Sequence, residues 1–385
     1  VGVLYTSAHQ LIGGTYVFPL DDTYIHLAMA RVFAETGTWG IHPGEFVSAT
    51  SSPAWTAFLA LSILVVGPKT AVVWLGNLLS GLGVLWAAER SWQDAGLTER
   101  VRLIGHAALV FIVPLGLIVG LGMEHTLHAL LTIWIAERTL RSLEGRPAPL
   151  FLAVLLPLVR YEGLFAVLWC GVLFLQARRY RDGISMWVAG GSGVGLYGLI
   201  SVWNGGFLLP NSLLMKSALS IDWLTQLKNN LQFGIEAWML IAVVGGLSLT
   251  STEAQSRARA VLFCGTGLTH LLLAQVGWFY RYEAYLLIWG VVCLAPVLAS
   301  SLRAVPRGSL LLALVVVAVG TKPVHRAVTA LWWYPRVCQG IHDTDWWIAG
   351  YIQETWPQTP LAVHDIGALR WRSDAPFVDL SLIHI

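Results

Sequence analysis

Two adjacent carboxylates, Asp21 and Asp22, stand in the stretch FPLDDTYIHLAMARVF (Phe18–Phe33) of a 385-residue chain in which only 12% of residues are charged. A carboxylate beside another is costly unless one is hydrogen-bonded or meets a cation. One of the two fits an N-cap, because Thr23 to Glu35 has a helical pattern closed by Gly37. Capping accounts for one acid and leaves the other available for function. Oxygen ligands of this kind suit a divalent cation such as Mg, Mn or Ca, so a metal at Asp21 and Asp22 is one chemistry the pair allows. The stretch GTWGIHPGEFVSATSSPAWTAF follows, rich in Gly, Ser, Thr and Pro, and reads as an ordered loop. From Asp21 to Trp55 one connected segment thus carries two acids, His26, His42, Glu45 and several hydroxyls.

The elements that would position these groups follow from composition. Apolar residues make up 56% of the chain, against a charged fraction of about 25% in an average globular domain. The formal net charge is +2, which implies no nucleic-acid partner, and nineteen Trp fit an interface with lipid. Cys170, Cys264, Cys293 and Cys338 form no CxxC or His/Cys cluster, so neither a disulfide framework nor a zinc site is expected. Apolar segments near the length of a membrane span recur at 70–90, 102–121, 124–140, 184–203, 236–250, 259–276, 282–300 and 307–320. Arg-rich connections, such as QARRYRDG, alternate with connections poor in basic residues, and the positive-inside rule places the Arg-rich ones in the cytoplasm. Asp21 and Asp22 then face outward. For the loops around Arg141 and Arg179 to share a side, 148–177 must break into two short helices, about 148–158 and 163–177, with Arg160 and Glu162 at the break. One long kinked helix is the alternative. The short apolar stretch 54–67 reads as juxtamembrane helices on the outer side. The predicted fold is an all-α polytopic membrane protein with about 10–11 transmembrane helices. Residues 1–320 would form its membrane domain, with a first outer loop over 14–69. Residues 321–385 carry a helix over 345–354 and two short strands in LAVHDIGALRW and PFVDL, and read as an outer-side α/β domain that is incomplete. The start at Val1 and the ending SLIHI read as the ends of a fragment.

Several motifs, in order along nearly the whole chain, carry a resemblance. DDTYIHLAMARVFAETGTWGIHPGEFVSATSSPAW is similar to the first outer loop of bacterial glycosyltransferases of the GT-C superfamily, nearest the group of the mycobacterial terminal arabinofuranosyltransferase. It departs at Ser48, Ala49 and the extra Ser52. GMEHTLHALL, RYEG, LPNSLLMKS, FYRYEAYL, VHDIGALRW and PFVDL resemble further elements of that group.

The resemblance implies an inverting enzyme that moves a sugar, arabinofuranose or another pentose or hexose, from a polyprenyl-phosphate donor to an envelope glycan, lipid or protein acceptor. It implies a multi-pass protein of the bacterial inner membrane with its active site facing the periplasm or cell exterior. Asp21 is then the expected general base, assisted by Asp22. The donor phosphate requires cations, for which Arg160, Lys216 and Arg281 are candidates, with His125 and Lys228 behind them and Asn211 and Tyr282 nearby. Tyr24, His26, Glu45, Glu124, Glu162 and Asp365 are the acceptor-side or supporting candidates. Glu124 fits a helix cap as well, and Asp365 a turn before Gly367. Two other classes compete: a transporter or flippase of lipid-linked substrates, and a non-catalytic membrane assembly protein.

Overall fold

The computed structural model describes residues 1–209, 223–277, 279–304 and 309–380. The chain begins with α1 (Gly2–Leu11), α2 (Asp21–Thr36), α3 (Pro53–Val66) and α4 (Ala71–Asp94). It continues through α5 (Glu99–Ala107), a π turn, α6 (Leu115–Gly120), α7 (His125–Ser142), α8 (Leu150–Val159), α9 (Gly163–Gln176) and α10 (Tyr180–Trp203). Then come α11 (Trp223–Phe233), α12 (Ile235–Thr250), α13 (Ala254–Leu273), α14 (Ala284–Ala304) and α15 (Ser309–Ile341). The tail holds α16 (Trp347–Thr355), β1 (Leu361–Val363), α17 (Gly367–Arg372) and β2 (Phe377–Asp379), with β1 and β2 paired in parallel.

The expectation of about 10–11 membrane helices is overturned. Among the described residues, three helices are long and apolar enough to cross a membrane: Ala71–Asp94, Tyr180–Trp203 and Ala284–Arg303. A fourth is reached only if Thr225–Phe233 and Ile235–Thr250, bent by 79°, count as one span. The other apolar segments fall short for identifiable reasons. The run 102–121 is divided by the π turn at Ala108–Ile112 and by Pro114, which leaves α6 only 6 residues long. The run 148–177 is split at Arg160–Glu162 into helices of 10 and 14 residues. Helices α7 and α13 carry Glu137 and Arg259, which meet in the interior with Arg259 Nη2 2.9 Å from Glu137 Oε2. The apolar character of these segments therefore goes largely into helix–helix packing. The multi-pass inner-membrane localisation drawn from the longer count is corrected with it.

One large apolar core joins α4, α7, α8, α9, α12, α13 and α14, with Trp92, Phe174, Phe263 and Trp289 fully buried. A second gathers α1, α2, α3 and the C-terminal part of α15 around Phe18, Tyr24, Trp55 and Tyr334. A third joins α2 to the tail through Met29, Ile41, Ile352, Leu369 and Phe377. The tail strands thus lie near the start of the chain, and α17 packs on α2. Helix α15 runs unbroken through residue 320.

Candidate functional site

The N-terminus of α2 sets the geometry. Its first residue, Asp21, is followed by a helix that ends at Gly37 in the left-handed conformation, φ 74°. Asp21 does not cap its own helix. It accepts hydrogen bonds from the amides of Gly367 (Oδ2, 2.9 Å) and Ala368 (Oδ1, 2.7 Å) at the start of α17. Burial raises its carboxyl to about 7, although those two amides oppose the shift. Position 367 must be Gly, since a Cβ there would run into the Asp21 backbone and carboxylate. Asp22 diverges by about 100°, as consecutive helical residues do. Its Oδ2 forms an ion pair with Arg281 Nη1. The side-by-side acids therefore serve different neighbours.

Asp22, Arg281, Arg160, Glu162 and Tyr282 line one wall of a cavity of about 330 Å3. Leu164, Phe165, Val194 and Leu273 form its apolar side, and Ser51 and Met123 complete it near α2. Arg160 sits at the break between α8 and α9 and is 5% exposed. Three of its five N–H donors go to acids: Nη2 and Nε donate to the two oxygens of Glu162 (2.6 and 3.2 Å), and Nη1 donates to Glu124 (2.7 Å). For Glu162, burial alone would raise the carboxyl, but the Arg160 fork outweighs it and holds it at about 2. Arg281 is also buried and differently engaged. Nη1 goes to Asp22 and the Met123 sulfur, Nη2 to the Tyr282 hydroxyl (3.0 Å), and Nε has no acceptor among the described residues. Both guanidiniums lie by the Tyr282 ring, 5.9 Å for Arg160 and 4.9 Å for Arg281.

The supporting shell is polar and buried. His26 Nε2 lies 3.6 Å from Glu124, while its Nδ1 meets the Thr56 and Thr50 hydroxyls at 3.0 and 3.1 Å. Tyr24 accepts the Phe18 amide at 2.8 Å and so fixes the entry into α2. His125 is fully buried, and burial, then Arg160 and Arg281, push its imidazole well below the usual range. It therefore stays neutral, with neither ring nitrogen partnered among the described residues.

Of the residues expected from sequence, Asp22, Arg160, Glu162, Arg281 and Tyr282 meet at the cavity, with Glu124, His125 and His26 behind it. Asp21 and Tyr24 belong to the packing of α2. Glu45 is exposed, Asp365 lies on the surface beside His364, and Lys228 is exposed. Lys216 and Asn211 lie outside the described residues. No cluster of three or more metal-ligating side chains occurs among the described residues, and the divergence of Asp21 from Asp22 does not assemble one. Sequence reasoning missed Met123 and Ser51 and the apolar wall, which carry no polar signal. It also missed Glu236, Glu283 and Arg326. An acid within the apolar run FGIEAWML was the available signal for Glu236.

No family model matches the chain, no curated protein matches it, and no solved structure matches it. The three membrane-length helices among the described residues depart from the multi-spanning GT-C architecture, so the resemblance to GT-C glycosyltransferases is not upheld. The assignments that rested on it are corrected together: the glycosyltransferase activity, the polyprenyl-phosphate sugar donor, the envelope acceptor, the bilayer as partner, and the competing flippase and membrane-assembly readings.

Proposed function

We propose that the cavity beside Asp22 and Arg281 binds a small organic oxyanion, a carboxylate or phosphate monoester on a compact apolar body, and that the chain acts as a ligand-binding protein through it. The observation that carries this reading is Arg281. It is a buried guanidinium at the cavity wall whose Nε has no acceptor among the described residues. A buried donor without a partner costs about 1–3 kcal/mol, which a ligand oxygen would recover; an anion does so by competing with Asp22 for Arg281. Arg160 is already paired with Glu162 and Glu124 and stands beside the Tyr282 ring. The volume of about 330 Å3 and the apolar side opposite a few convergent polar groups fit a small-molecule site.

Calorimetric titration with 3-phenylpropionate, phenyl phosphate and neutral 3-phenylpropanamide tests this. The anions should bind and the amide should be at least tenfold weaker. Arg281→Gln should weaken the anions by tenfold or more, with Arg281→Lys between. Equal affinity for the amide and the anions, or an unchanged affinity in a folded Arg281→Gln protein, refutes the reading.

A further inference from the structure

A second cavity, of about 600 Å3, lies on the other side of the 274–283 segment and shares no lining residue with the first. The segment alternates between the two. Gln275, Arg281 and Tyr282 face the first cavity, whereas Gly277, Phe279 and Tyr280 face the second. Phe279 and Tyr280 hold left-handed backbone angles, φ 57° and 63°. That conformation is unfavourable for bulky residues and persists only where the surroundings enforce it. It turns the Tyr280 ring beneath Arg326, whose guanidinium carbon stands 3.9 Å from the ring centre.

The hydrogen bonding at this cavity is incomplete. Among the described residues Arg326 pairs with two buried acids: Nη2 donates to Glu283 Oε1 at 2.6 Å and Nη1 to Glu236 Oε2 at 3.2 Å. Glu283 is satisfied on both oxygens, because Oε2 also accepts the Gly277 amide at 2.7 Å. Glu236, 2% exposed, is not: its Oε1 has no hydrogen-bond partner among the described residues. One guanidinium serves two carboxylates, and the oxygen left without a hydrogen bond belongs to Glu236, on the cavity wall. Around it stand the aromatic rings of Phe233, Phe279 and Trp333. A carboxylate oxygen accepts hydrogen bonds, and aromatic faces attract cations. An ammonium meets both, whereas a neutral donor meets only the hydrogen bond.

We infer that this second cavity binds an organic cation, a primary ammonium on an aromatic or apolar body, whose head group donates to Glu236 Oε1 while its body lies against Phe233, Phe279 and Trp333. Lys322 and His325, also in the lining, are exposed. The site is separate from the oxyanion cavity and does not depend on that reading.

The test is calorimetry or ligand-observed NMR on the full chain with phenethylammonium and its neutral N-acetyl derivative. The charged compound should bind at least tenfold tighter than the neutral one. Glu236→Gln removes the charge but keeps the shape, and should remove that preference. Trp333→Ala alters a half-exposed wall without touching the charged base and should weaken phenethylammonium several-fold. It also keeps the test decisive should Glu236→Gln fail to fold. Equal binding of the two compounds overturns the inference, as does undiminished binding in both variants. So does a wild-type protein that binds neither compound while Lys322→Ala binds the cation, since Lys322 would then be the partner of Glu236.

Discussion

Replacing Glu162 by Gln should separate the structural and binding roles of the buried charges. In the native protein the two Glu162 oxygens face Arg160 at 2.6 and 3.2 Å, and Glu124 holds the third donor at 2.7 Å. The Glu162 carboxyl lies at about 2, against an ordinary value of 4.5. That difference corresponds to roughly 3 kcal/mol, at about 1.4 kcal/mol per unit. Breaking a buried pair typically costs about 3–5 kcal/mol, and the remaining Glu124 bond argues for the lower end. The sign follows from the depressed carboxyl: its contribution is present above 4.5 and is lost as the pH falls through about 2. Glu162→Gln should therefore lose about 3 kcal/mol at pH 7, and the gap to wild type should shrink below 4.5, where Glu162 of the unfolded chain takes up protons while the folded protein keeps it ionised down to about 2. Urea denaturation, which adds no salt to screen the pair, measures this. The same variant frees part of Arg160, so 3-phenylpropionate should bind more tightly while the fold is weaker. A loss under about 1 kcal/mol at pH 7 would mean that the fork behaves as a screened surface pair, and the account of this wall would fail.

Two further outcomes follow from the α2–α17 junction. Burial raises the Asp21 carboxyl to about 7 from an ordinary 3.8, so the stability linked to its protonation is present below 3.8 and is lost as the pH rises through about 7. Asp21→Asn cannot ionise, so its stability relative to wild type should improve between about pH 4 and 8 by up to ~4 kcal/mol; urea titrations at both pH values check this, and parallel profiles would count against a raised Asp21. Gly367→Ala places a Cβ against the Asp21 carboxylate oxygens, 2.7 and 2.8 Å away. It should cost about 1–3 kcal/mol by overpacking, measured as a lower denaturation midpoint, and an unchanged midpoint would show that the junction yields.

The sequence was most informative where local chemistry fixes local structure. The helix from Asp21 to Thr36 follows from the pattern of its apolar residues and from Gly37, and the break at Arg160–Glu162 follows from polar residues dividing two apolar runs. The helix expected over 345–354 is displaced to Trp347–Thr355, because His342–Trp346 takes a π turn at the end of α15. What misled was the reading of apolar length as membrane length. Leucine-rich stretches look alike whether they face lipid or one another. In this chain α8 and α9 are packed by α10, and α12 by α14, while Glu137 and Arg259 find each other from helices far apart in sequence. Such pairings are not visible along a single strand of text. The same holds for the second cavity, whose acids and base come from α12, the 274–283 segment and α15.

The adjacent acids gain their meaning from this three-dimensional arrangement. Neither caps α2, and each ties the start of the chain to a distant segment: Asp21 to the amides of Gly367 and Ala368, Asp22 to Arg281. A helix turns by about 100° per residue, so neighbouring side chains cannot share one partner, but they can hold two elements at a fixed angle. Asp21 is committed to the backbone amides of Gly367 and Ala368. Asp22 is paired with a side chain at the edge of a cavity, where an incoming anion can compete for Arg281. The pair therefore joins a rigid contact to an exchangeable one. An anion that takes up Arg281 would act on the Asp22 side of α2, while Asp21 keeps the tail in place.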